Sequence, residues 1–394
     1  MDVEVPPIPA SYDSYRSELR DFIARNKPTL AWKPRAGMRV PDDAADVDAL
    51  RTWVRALHGA GYVTATYADP PADQFETRII IEELNCTGIP WVLGNPLVGG
   101  ALVAFGTEQQ RDQFLPRIAS GEHIWTQLFS EPDAGSDLTS LKTRAVLQGD
   151  HYVVSGQKVW STWAQFADYG YLLARSEAEP GPGGISAFIL DMRSPGVTTR
   201  PLREITGTTD FNEVFLDEVR IPVANVIGRP GAGWKVAAAS LLQERGGVGS
   251  GGTESLVAGL VELARAARRG GRPAIADSAV RQDIARLVAR ARIQRYLGHA
   301  IATKVAEGSL AAWDAPVTKI WFSELNLELN DYAVTLQGPR GALIEGDELA
   351  VEDGRWQDRF LYARAWTIAG GSNEIMRNLI AERGLGLPRE ARGG

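Results

Sequence analysis

The segment Leu241-Leu242-Gln243-Glu244-Arg245-Gly246-Gly247 closes an apolar stretch that begins at Trp234. The stretch is rich in Val, Ala and Leu, a composition that favours a helix without a solvated face. We therefore expect the carboxylate of Glu244 to be desolvated, which would raise its pKa towards neutrality. Arg245 offers only partial compensation, because adjacent residues of a helix point in different directions. Two interpretations remain open from these residues alone: a Glu–Arg pair that links helices, or a carboxylate that acts as a base.

The spacing of apolar residues changes twice along the chain. Before residue 123 they recur every three or four positions, which predicts helices, with Thr107 as one N-cap. From 123 to about 229 the period is two, which predicts a small antiparallel β unit. From 233 onwards the helical spacing returns in segments long enough for an antiparallel bundle. The predicted strands are 143–147, 151–155, 169–174, 185–192 and 212–216, and the predicted later helices are 254–268, 280–307, 315–336 and 359–384.

This order of elements predicts an α+β fold with three domains. They are an N-terminal all-α domain (1–122), a middle β domain (123–230) that would hold the ligand site, and a C-terminal α-helical domain (231–394) built as a four-helix bundle.

Composition narrows the classes of function. The 394 residues carry a formal net charge of −7 and no Lys/Arg-rich run, so neither nucleic acid nor an anionic membrane is an expected partner. The N-terminus MDVEVPPIPA does not resemble a signal peptide, and no apolar run approaches the length of a membrane span. The single Cys86 cannot form an internal disulfide, and His58 and His123 have no partners at metal-ligand spacing. We therefore expect a cytoplasmic protein without a metal site.

Two segments of the β region indicate a ligand site. Phe129-Ser130-Glu131-Pro132-Asp133-Ala134-Gly135-Ser136-Asp137 combines hydroxyls, small residues and a turn that can align N–H groups, which suits a polar edge and a phosphate. Gln157-Lys158-Val159-Trp160-Ser161-Thr162 places a large aromatic ring and a hydroxyl two positions apart, which predicts one shared face of a strand. That pair suits a flat heteroaromatic ring with one hydrogen-bonding atom.

Residues 247–252 match the pattern G-x-G-x-x-G, the fingerprint of dinucleotide binding. The fingerprint requires a preceding strand, whereas the preceding residues have helical composition. We therefore reject the match and interpret these glycines as a place of close helix packing or close approach of a ligand.

Taken together with three further motifs, the chain resembles the acyl-CoA dehydrogenase family of flavoenzymes over almost its whole length. SEPDAGSD (130–137) and GQKVWST (156–162) resemble the family's flavin loop and strand. GTEQQRDQFLPRIASGE (106–122) resembles the helix between its acyl pocket and β domain. LQGPRG (336–341) resembles its LQ-x-x-GG turn, and IAGGSNEIMR (368–377) resembles its C-terminal signature.

The resemblance implies FAD as cofactor and assigns expected contacts to it. Ser130 would bond the pyrimidine edge of the flavin, Ser136 its pyrophosphate, Trp160 would flank the ring and Thr162 would meet N5. The complete set of implied cofactor contacts is Phe129, Ser130, Gly135, Ser136, Trp160, Thr162, Gln282, Gln337, Gly341, Ser372 and Glu374.

An oligomer is part of this implied cofactor site. Gln282, Gln337 and Gly341 would reach the FAD of a neighbouring subunit, so we expect a homotetramer or a heteromer with a related subunit. One departure is clear: the family's Arg-x-x-Phe cofactor motif is missing between 267 and 281. Which of Arg268, Arg269 or Arg272 would substitute for it stays open.

The resemblance also decides between the two interpretations of Glu244. Most members of the family carry the catalytic Glu at the position of Gly370, whereas a minority, the isovaleryl- and long-chain-type enzymes, carry it before an Arg on the first helix of the C-terminal domain. Glu244 stands at that second position. We therefore expect Glu244 to remove the α-proton of an acyl-CoA thioester, and the backbone N–H of Gly370 to hold the thioester oxygen. Arg245 would position the base or meet the CoA arm.

The implied reaction is α,β-dehydrogenation to a trans-2-enoyl-CoA, with hydride transfer to flavin N5 and an electron-transfer flavoprotein as acceptor. Gly94, Gly99 and Gly100 suggest a branched, cyclic or sterol-derived acyl chain, although a close helix crossing explains small residues equally well. Two other functions are compatible with the fold. One is a catalytically silent partner subunit, favoured by Gly370 and opposed by Glu244, and the other is a flavin oxidase or monooxygenase, which would not need the base.

Overall fold

The computed structural model describes residues 8–32, 40–63, 73–95, 97–247 and 252–389. Within these ranges, the side chains of residues 74, 242–247, 252, 302, 305 and 306 lie outside the described part. The described residues form two compact units, 8–241 and 242–389. None of the described helices combines the length and the apolar character that a membrane crossing requires.

Five helices precede the sheet, as the spacing of apolar residues predicts. Their contacts with one another come from buried stripes, such as Val47, Leu50, Val54 and Leu57 on the second helix. Thr107 caps the fifth helix through a reciprocal capping box with Gln110, which confirms the predicted N-cap. The helices are α1 (Asp13–Asn26), α2 (Ala44–Gly59), α3 (Gln74–Cys86), α4 (Leu97–Phe105) and α5 (Glu108–Ala119).

The middle of the chain folds into one eight-stranded sheet, with strand order β6-β7-β3-β2-β4-β5-β8 and β1 beside β4. The five predicted strands are all present, within a few residues at their ends except for the last, which continues six residues further. Three strands, at 125–128, 197–202 and 226–227, were not predicted: the first and the last have only four and two residues, and 197–202 has no buried residue to mark an alternation. The strands are β1 (Trp125–Leu128), β2 (Arg144–Gln148), β3 (His151–Lys158), β4 (Tyr169–Arg175), β5 (Ile185–Asp191), β6 (Val197–Leu202), β7 (Phe211–Pro222) and β8 (Val226–Ile227).

The sheet is not wholly antiparallel, which corrects the prediction. β1 pairs with β4 in parallel, from Trp125 opposite Tyr169 to Leu128 opposite Leu172, and β2 meets β4 in parallel at one position. Successive residues of β4 serve two cores: Tyr171 and Leu173 face the helices, whereas Leu172 and Ala174 face the opposite core. The parallel pairing places the chain that follows β1 at the centre of the sheet.

An ion pair joins the helices to the sheet within this unit. Arg51 of α2 lies 2.9 Å from the carboxylate of Asp168, and the same carboxylate accepts the backbone N–H of Ile124. Gln110 of α5 donates to the carbonyls of Ala224 and Val226 at the other side of the sheet. The start of β1 is thus held by Asp168, which pairs with Arg51 of α2, as well as by its strand partner.

Helices return after the sheet, and three of the four predicted later helices are confirmed to within two residues. The fourth, 359–384, is wrong as a single helix, because Gly370 and Gly371 both adopt left-handed backbone and interrupt it. A two-stranded hairpin, β9 (Arg268–Arg269) with β10 (Arg272–Pro273), was not predicted. The helices are α6 (Gly233–Gly247), α7 (Gly252–Ala266), α8 (Ser278–Ala306), α9 (Asp314–Gln337), α10 (Arg355–Trp366) and α11 (Asn373–Leu379), followed by a π-helical turn (Ile380–Gly384).

Candidate active site

The loop that follows β1 presents small and polar residues to the surface. Its turn is closed by two hydrogen bonds between the backbones of Glu131 and Ala134, at 3.0 and 3.1 Å. Phe129 is buried and packs edge-to-face on Tyr171, with ring centroids 4.9 Å apart. Gly135 and Ser136 are exposed, and Ser130 is partly buried. The loop therefore has one apolar anchor beneath it and an outward surface of the kind that a ligand backbone or phosphate can approach.

Trp160 does not share a face of a strand with Thr162, contrary to the prediction. β3 ends at Lys158, and Trp160 has a positive φ of 60°, which turns the chain out of the strand and breaks the two-residue alternation. The Trp160 side chain is 60% exposed and touches Phe211 edge-to-face at 5.9 Å, whereas Thr162 is buried. A large ring held outward on left-handed backbone is rare, and such strained positions cluster at ligand sites.

A second tryptophan with a positive φ, Trp163, is buried, so left-handed backbone by itself does not explain why Trp160 is exposed. Trp163 also has a positive φ, of 66°, yet it is 3% exposed and packs within the helical core beside Phe166. Two left-handed tryptophans three residues apart thus point to opposite environments. The core accepts one ring, and the other ring is left with its face available to a ligand.

The loop and the Trp160 segment are joined directly by hydrogen bonds. The backbone N–H of Val159 donates to the carbonyl of Ser130 at 2.9 Å. The ammonium of Lys158 donates to the carbonyl of Phe129 at 3.0 Å and to the carboxylate of Glu131 at 2.8 Å. Ser130 and Trp160, predicted to share a ligand, are therefore neighbours in the structure.

Lys158 and Glu131 form a buried ion pair that the sequence did not single out. Burial lowers the pKa of the Lys158 ammonium to about 8, against the opposite effect of the Glu131 charge. Burial alone would raise the pKa of Glu131, but the charge of Lys158 and hydrogen bonds from Lys158, Thr143 and Lys142 hold it below its ordinary value. One signal was available: Lys158 lies at the end of an otherwise apolar strand face. The bulge beside it lies in β7, where three residues oppose two of β3, so Lys158 stays on the same face as Tyr152 and Val154.

These features fit FAD, the cofactor that the resemblance implies. The exposed face of Trp160 suits a flavin ring, and the hydroxyl-bearing loop beside it suits the polar edge and the pyrophosphate. A Cβ built on Gly135 would meet no atom within 4 Å, so the space in front of the loop is open. The individual contacts of Phe129, Ser130, Gly135, Ser136, Trp160 and Thr162 with the cofactor stay predictions.

The predicted cofactor residues of the second unit fall into two groups. Gln337 ends α9, where its side chain donates to the carbonyl of Ala333, and Gly341 follows in the next turn. Gln282 is exposed near the start of α8, and its neighbour Asp283 acts on the pKa of Tyr332, in the last turns of α9, so Gln282 belongs to the same end of the bundle.

The other group lies far along α9. Ser372 caps α11, and the next residue, Asn373, accepts hydrogen bonds from Lys319 and Ser323 in the first half of α9. From Ser323 to Gln337 the helix rises about 21 Å at ~1.5 Å per residue. Gly370, Ser372 and the exposed Glu374 are therefore separated from Gln337 within one subunit, and the two groups cannot contact the same flavin ring.

Glu244 and Arg245 lie in helix α6, but their side chains are outside the described residues, so the two predictions on them stay predictions. Gly249 and Gly251 lie outside the described residues altogether, so the interpretation of these glycines stays a prediction as well. The residues before those glycines are helical, which confirms the reason for rejecting the dinucleotide fingerprint. Gly370 is described: its φ is +67°, and a Cβ built there would meet no atom within 4 Å.

Gly94 has a structural explanation that does not involve the acyl chain. It forms a bridge to Trp125 with φ +68°, and a Cβ built there would lie 2.3 Å from the carbonyl oxygen of Trp125. The close approach of β1 alone therefore requires glycine at this position. Gly94 gives no information about the substrate.

Family models match three consecutive parts of the chain. They describe the N-terminal, middle and C-terminal domains of acyl-CoA dehydrogenases, and they match residues 11–122, 126–219 and 231–385. The chain belongs to the acyl-CoA dehydrogenase family, as its motifs suggested. It is a flavin-dependent oxidoreductase of acyl-CoA thioesters, with FAD as its cofactor.

Two relatives and two solved structures illustrate how similar this chain is to individual members of the family. The acyl-CoA dehydrogenase IpdE1 of Mycobacterium tuberculosis is 42% identical over 306 residues, covering 76% of each chain. FadE34 of the same organism is 38% identical over 296 residues, covering 73% of this chain and 38% of its own. Among solved structures, the Tcur3481–Tcur3483 steroid acyl-CoA dehydrogenase superposes with a TM-score of 0.84 at 28% identity, covering 99% of this chain and 100% of that one. The ChsE4–ChsE5 complex of M. tuberculosis gives 0.83 at 27%, covering 98% and 100%.

Replacing Trp160 with alanine is expected to weaken FAD binding and shift the visible spectrum of the flavin. The reason is that one face of the ring would become open to water. Loss of one aromatic contact corresponds to an affinity decrease of about three- to tenfold. Titration of the apoprotein with FAD, followed by flavin fluorescence, measures the change. Trp313→Ala, which removes a partly exposed tryptophan of the second unit, is the control, and an unchanged affinity and spectrum in Trp160→Ala would show that this ring does not touch the flavin.

Proposed function

We propose that the protein dehydrogenates the acyl-CoA thioester of a ring-bearing, steroid-derived acid between its α and β carbons. The observation that carries the reaction is the joined loop and left-handed Trp160, which form a site for a flat cofactor in a chain of this family. The observation that favours the substrate class is the similarity to a solved steroid acyl-CoA dehydrogenase over nearly the whole of both chains.

The proposed division of labour assigns the proton to Glu244. A thioester α-proton is weakly acidic, so its removal needs a base of matched pKa and stabilisation of the developing negative charge on the thioester oxygen. Helix α6 carries Glu244. Its described side chains include the exposed Lys235, Ala238 and Ala239, so the expected absence of a solvated face is wrong, and bound substrate and flavin would have to desolvate the carboxylate to raise its pKa. Arg245 would hold the carboxylate or the CoA arm. FAD, when bound, accepts the hydride that leaves the β-carbon.

Gly370 would contribute its backbone rather than a side chain. The left-handed turn at Gly370 and Gly371 interrupts the last helices and leaves backbone groups outside regular helix. A backbone N–H from this turn would donate to the thioester oxygen. Gly370 has no carboxylate to act as base, and Glu244 would supply that carboxylate instead.

We also propose that the cofactor site is completed by a neighbouring subunit. Gln337 and Gly341 lie about 21 Å along α9 from the Ser372 end, as the rise of a helix requires, so one subunit cannot bring both groups to one flavin ring, and the family resemblance assigns Gln337 and Gly341 to the FAD of a neighbour. A homotetramer would satisfy this arrangement. A heteromer with a related subunit is the second candidate, favoured by the missing Arg-x-x-Phe motif and by solved relatives that are two-component complexes.

The hairpin that stands where this motif would be is short and exposed. Arg268, Arg269 and Arg272 all lie on it and are all exposed, so each of them is available to a second chain or to the adenine end of FAD. Arg269 is the one with an ion-pair partner in the described part of the chain, Asp277 at 3.9 Å.

Three further proposals accompany this function. The domains are 1–122, 123–230 and 231–394, which the limits of the family models support. An electron-transfer flavoprotein takes the electrons, as is typical of the family. The cytoplasmic location expected from the sequence stays a prediction.

The test of function is anaerobic bleaching of the bound flavin by a panel of acyl-CoAs. We expect fast bleaching with ring-bearing, steroid-derived thioesters and slow or no bleaching with straight and simply branched chains of equal carbon number. Bleaching by straight chains alone would contradict the substrate class. No bleaching by any member would favour the silent-subunit alternative, and reoxidation in air within seconds would favour an oxidase.

Dilution to monomers is expected to release FAD, because the contacts of Gln282, Gln337 and Gly341 would be lost together. Analytical ultracentrifugation with absorbance at protein and flavin wavelengths measures both quantities in one experiment. Gln337→Ala should shift release to higher protein concentration, whereas Gln148→Ala, on the exposed hairpin between β2 and β3, should not. A monomer that keeps full FAD occupancy would contradict the shared site.

A further inference from the structure

We propose that the buried Lys158–Glu131 ion pair is the positioning element of the flavin site: it fixes the loop after β1 and the Trp160 turn in the shape that receives FAD. The proposal rests on the placement of FAD against these two segments. It assigns a role in cofactor binding to two residues that make no direct contact with the cofactor in any of the predictions above.

The ammonium of Lys158 holds the start of the loop. Its side chain is fully buried, and its Nζ donates to the Phe129 carbonyl at 3.0 Å and to Glu131 Oε1 at 2.8 Å. Because Ser130 lies between these two acceptors, its backbone is fixed on both sides. Ser130 is the residue expected at the polar edge of the flavin.

The carboxylate of Glu131 holds the end of the same loop. It is 7% exposed and accepts the backbone N–H of Lys142 at 2.6 Å and of Thr143 at 2.9 Å, just before β2. The residues between, which include Gly135 and Ser136, are thus closed into a loop whose two ends meet at one ion pair. The ion pair thus joins two ends that β4 also holds, through Leu128 opposite Leu172 and Arg144 opposite Arg175.

The Trp160 turn begins two residues after Lys158. The N–H of Val159 donates to the Ser130 carbonyl at 2.9 Å, and the N–H of Ser161 donates to the Asn212 carbonyl at 3.0 Å. These bonds hold the backbone on both sides of Trp160. A non-glycine residue keeps a positive φ only where the surrounding structure holds its backbone in place. The ion pair holds the backbone on the N-terminal side of Trp160.

Stability alone does not account for a charged pair in this place. Replacement of buried ion pairs by uncharged residues of similar size is often neutral or stabilising, because desolvation of two charges is expensive. The lowered pKa of Lys158 reflects that expense. An uncharged pair would not bond at the same time the Phe129 carbonyl at one end of the loop and the N–H groups of Lys142 and Thr143 at the other.

The test compares two double variants that each remove one positive and one negative charge. Lys158→Met/Glu131→Gln removes the buried pair. Asp133→Asn/Lys142→Met removes an exposed pair in the same loop, whose charged atoms lie 3.3 Å apart and whose side chains are more than three-quarters exposed. Both are compared with wild type for FAD affinity of the apoprotein, for the visible spectrum of the bound flavin and for the melting temperature of the apoprotein.

We expect the buried-pair variant to bind FAD about tenfold more weakly and to show an altered flavin spectrum. A tenfold loss of affinity corresponds to the loss of one charge-assisted hydrogen bond. We expect its apoprotein to melt within a few degrees of wild type. The exposed-pair variant should match wild type in all three measurements. A merely structural pair predicts the reverse: a lower melting temperature with unchanged affinity and spectrum in the folded fraction, and that result would overturn the proposal.

If the buried-pair variant does not fold, Glu131→Asp is used to test whether the pair positions the flavin site. It keeps both charges and withdraws the carboxylate by one methylene from Lys158 and the two N–H groups. Weaker FAD binding at an unchanged melting temperature supports the positioning role, and unchanged binding overturns it. Wild type that binds no FAD at all would instead refute the placement of the cofactor, and the role of the pair would fail with it.

Discussion

Glu244→Gln is expected to abolish turnover while the protein keeps its fold, its FAD and its affinity for acyl-CoA. The amide is nearly isosteric with the carboxylate but cannot accept the α-proton. Loss of a general base decreases the rate by at least the 10²- to 10⁴-fold typical of such catalysis, or about 3–6 kcal/mol in the barrier. The measurement is the single-turnover rate of flavin reduction under anaerobic conditions, with a reactive acyl-CoA.

Glu254→Gln is the matched control for this variant. Glu254 is another glutamate of the C-terminal region; it lies in the first turn of α7, is half exposed and is paired with Arg295 at 3.2 Å. Its replacement should leave the rate of flavin reduction unchanged. A wild-type rate in Glu244→Gln would remove Glu244 from the mechanism and reopen the interpretation of a Glu–Arg pair that links helices.

Moving the base is the second large effect that we expect. Gly370→Glu in the Glu244→Gly background should restore part of the lost rate, because members of the family reach the same α-carbon from either position. The structure shows open space for a side chain at Gly370, but also a φ of +67°, which costs an L-residue about 1–2 kcal/mol. Recovery should therefore be partial, since the strained turn must also keep its backbone N–H directed at the thioester oxygen.

Gly370→Gln in the same background is the control, because Gln has the size of Glu but no carboxylate to accept a proton. We expect no recovery of the rate from it. Flavin content and melting temperature must be measured for each variant, because strain at Gly370 could release FAD. A folded, FAD-loaded Gly370→Glu variant without recovery would leave Glu244 as the base. It would contradict the idea that the two positions reach one pocket.

The order of helices and strands could be predicted from the sequence because apolar spacing is a local signal. The two-residue period revealed five of the eight strands of the sheet, and Thr107 revealed a helix start. The parallel pairing of β1 with β4 could not be predicted, since it joins residues more than forty positions apart and β1 is only four residues long. The final helix was overextended because a pair of glycines costs a helix only about 2 kcal/mol, which packing often offsets.

The candidate site was predicted in its composition and not in its geometry. The motifs named the loop at 129–137 and Trp160, but the expected strand face was wrong, because the left-handed turn at Trp160 has no sequence signal in a residue that rarely adopts it. The Lys158–Glu131 pair was missed because Lys and Glu are usually exposed to solvent, so a sequence alone predicts that both side chains lie on the surface. Contacts between the predicted residues required knowledge of which segments meet.

The pairing of β1 also bears on how the chain can be divided and made. Residues 8–241 form one compact unit, in which the strand after the N-terminal helices lies within the sheet and Asp168 ties that strand to α2. A cut at residue 122 would keep β1 with β4, but it would separate the helices from the sheet residues that they bond: Arg51 would lose Asp168, and Gln110 would lose the carbonyls of Ala224 and Val226. The helices and the sheet should consequently melt as one cooperative block, resist separation by proteases, and complete their fold on the ribosome only after β4 has emerged.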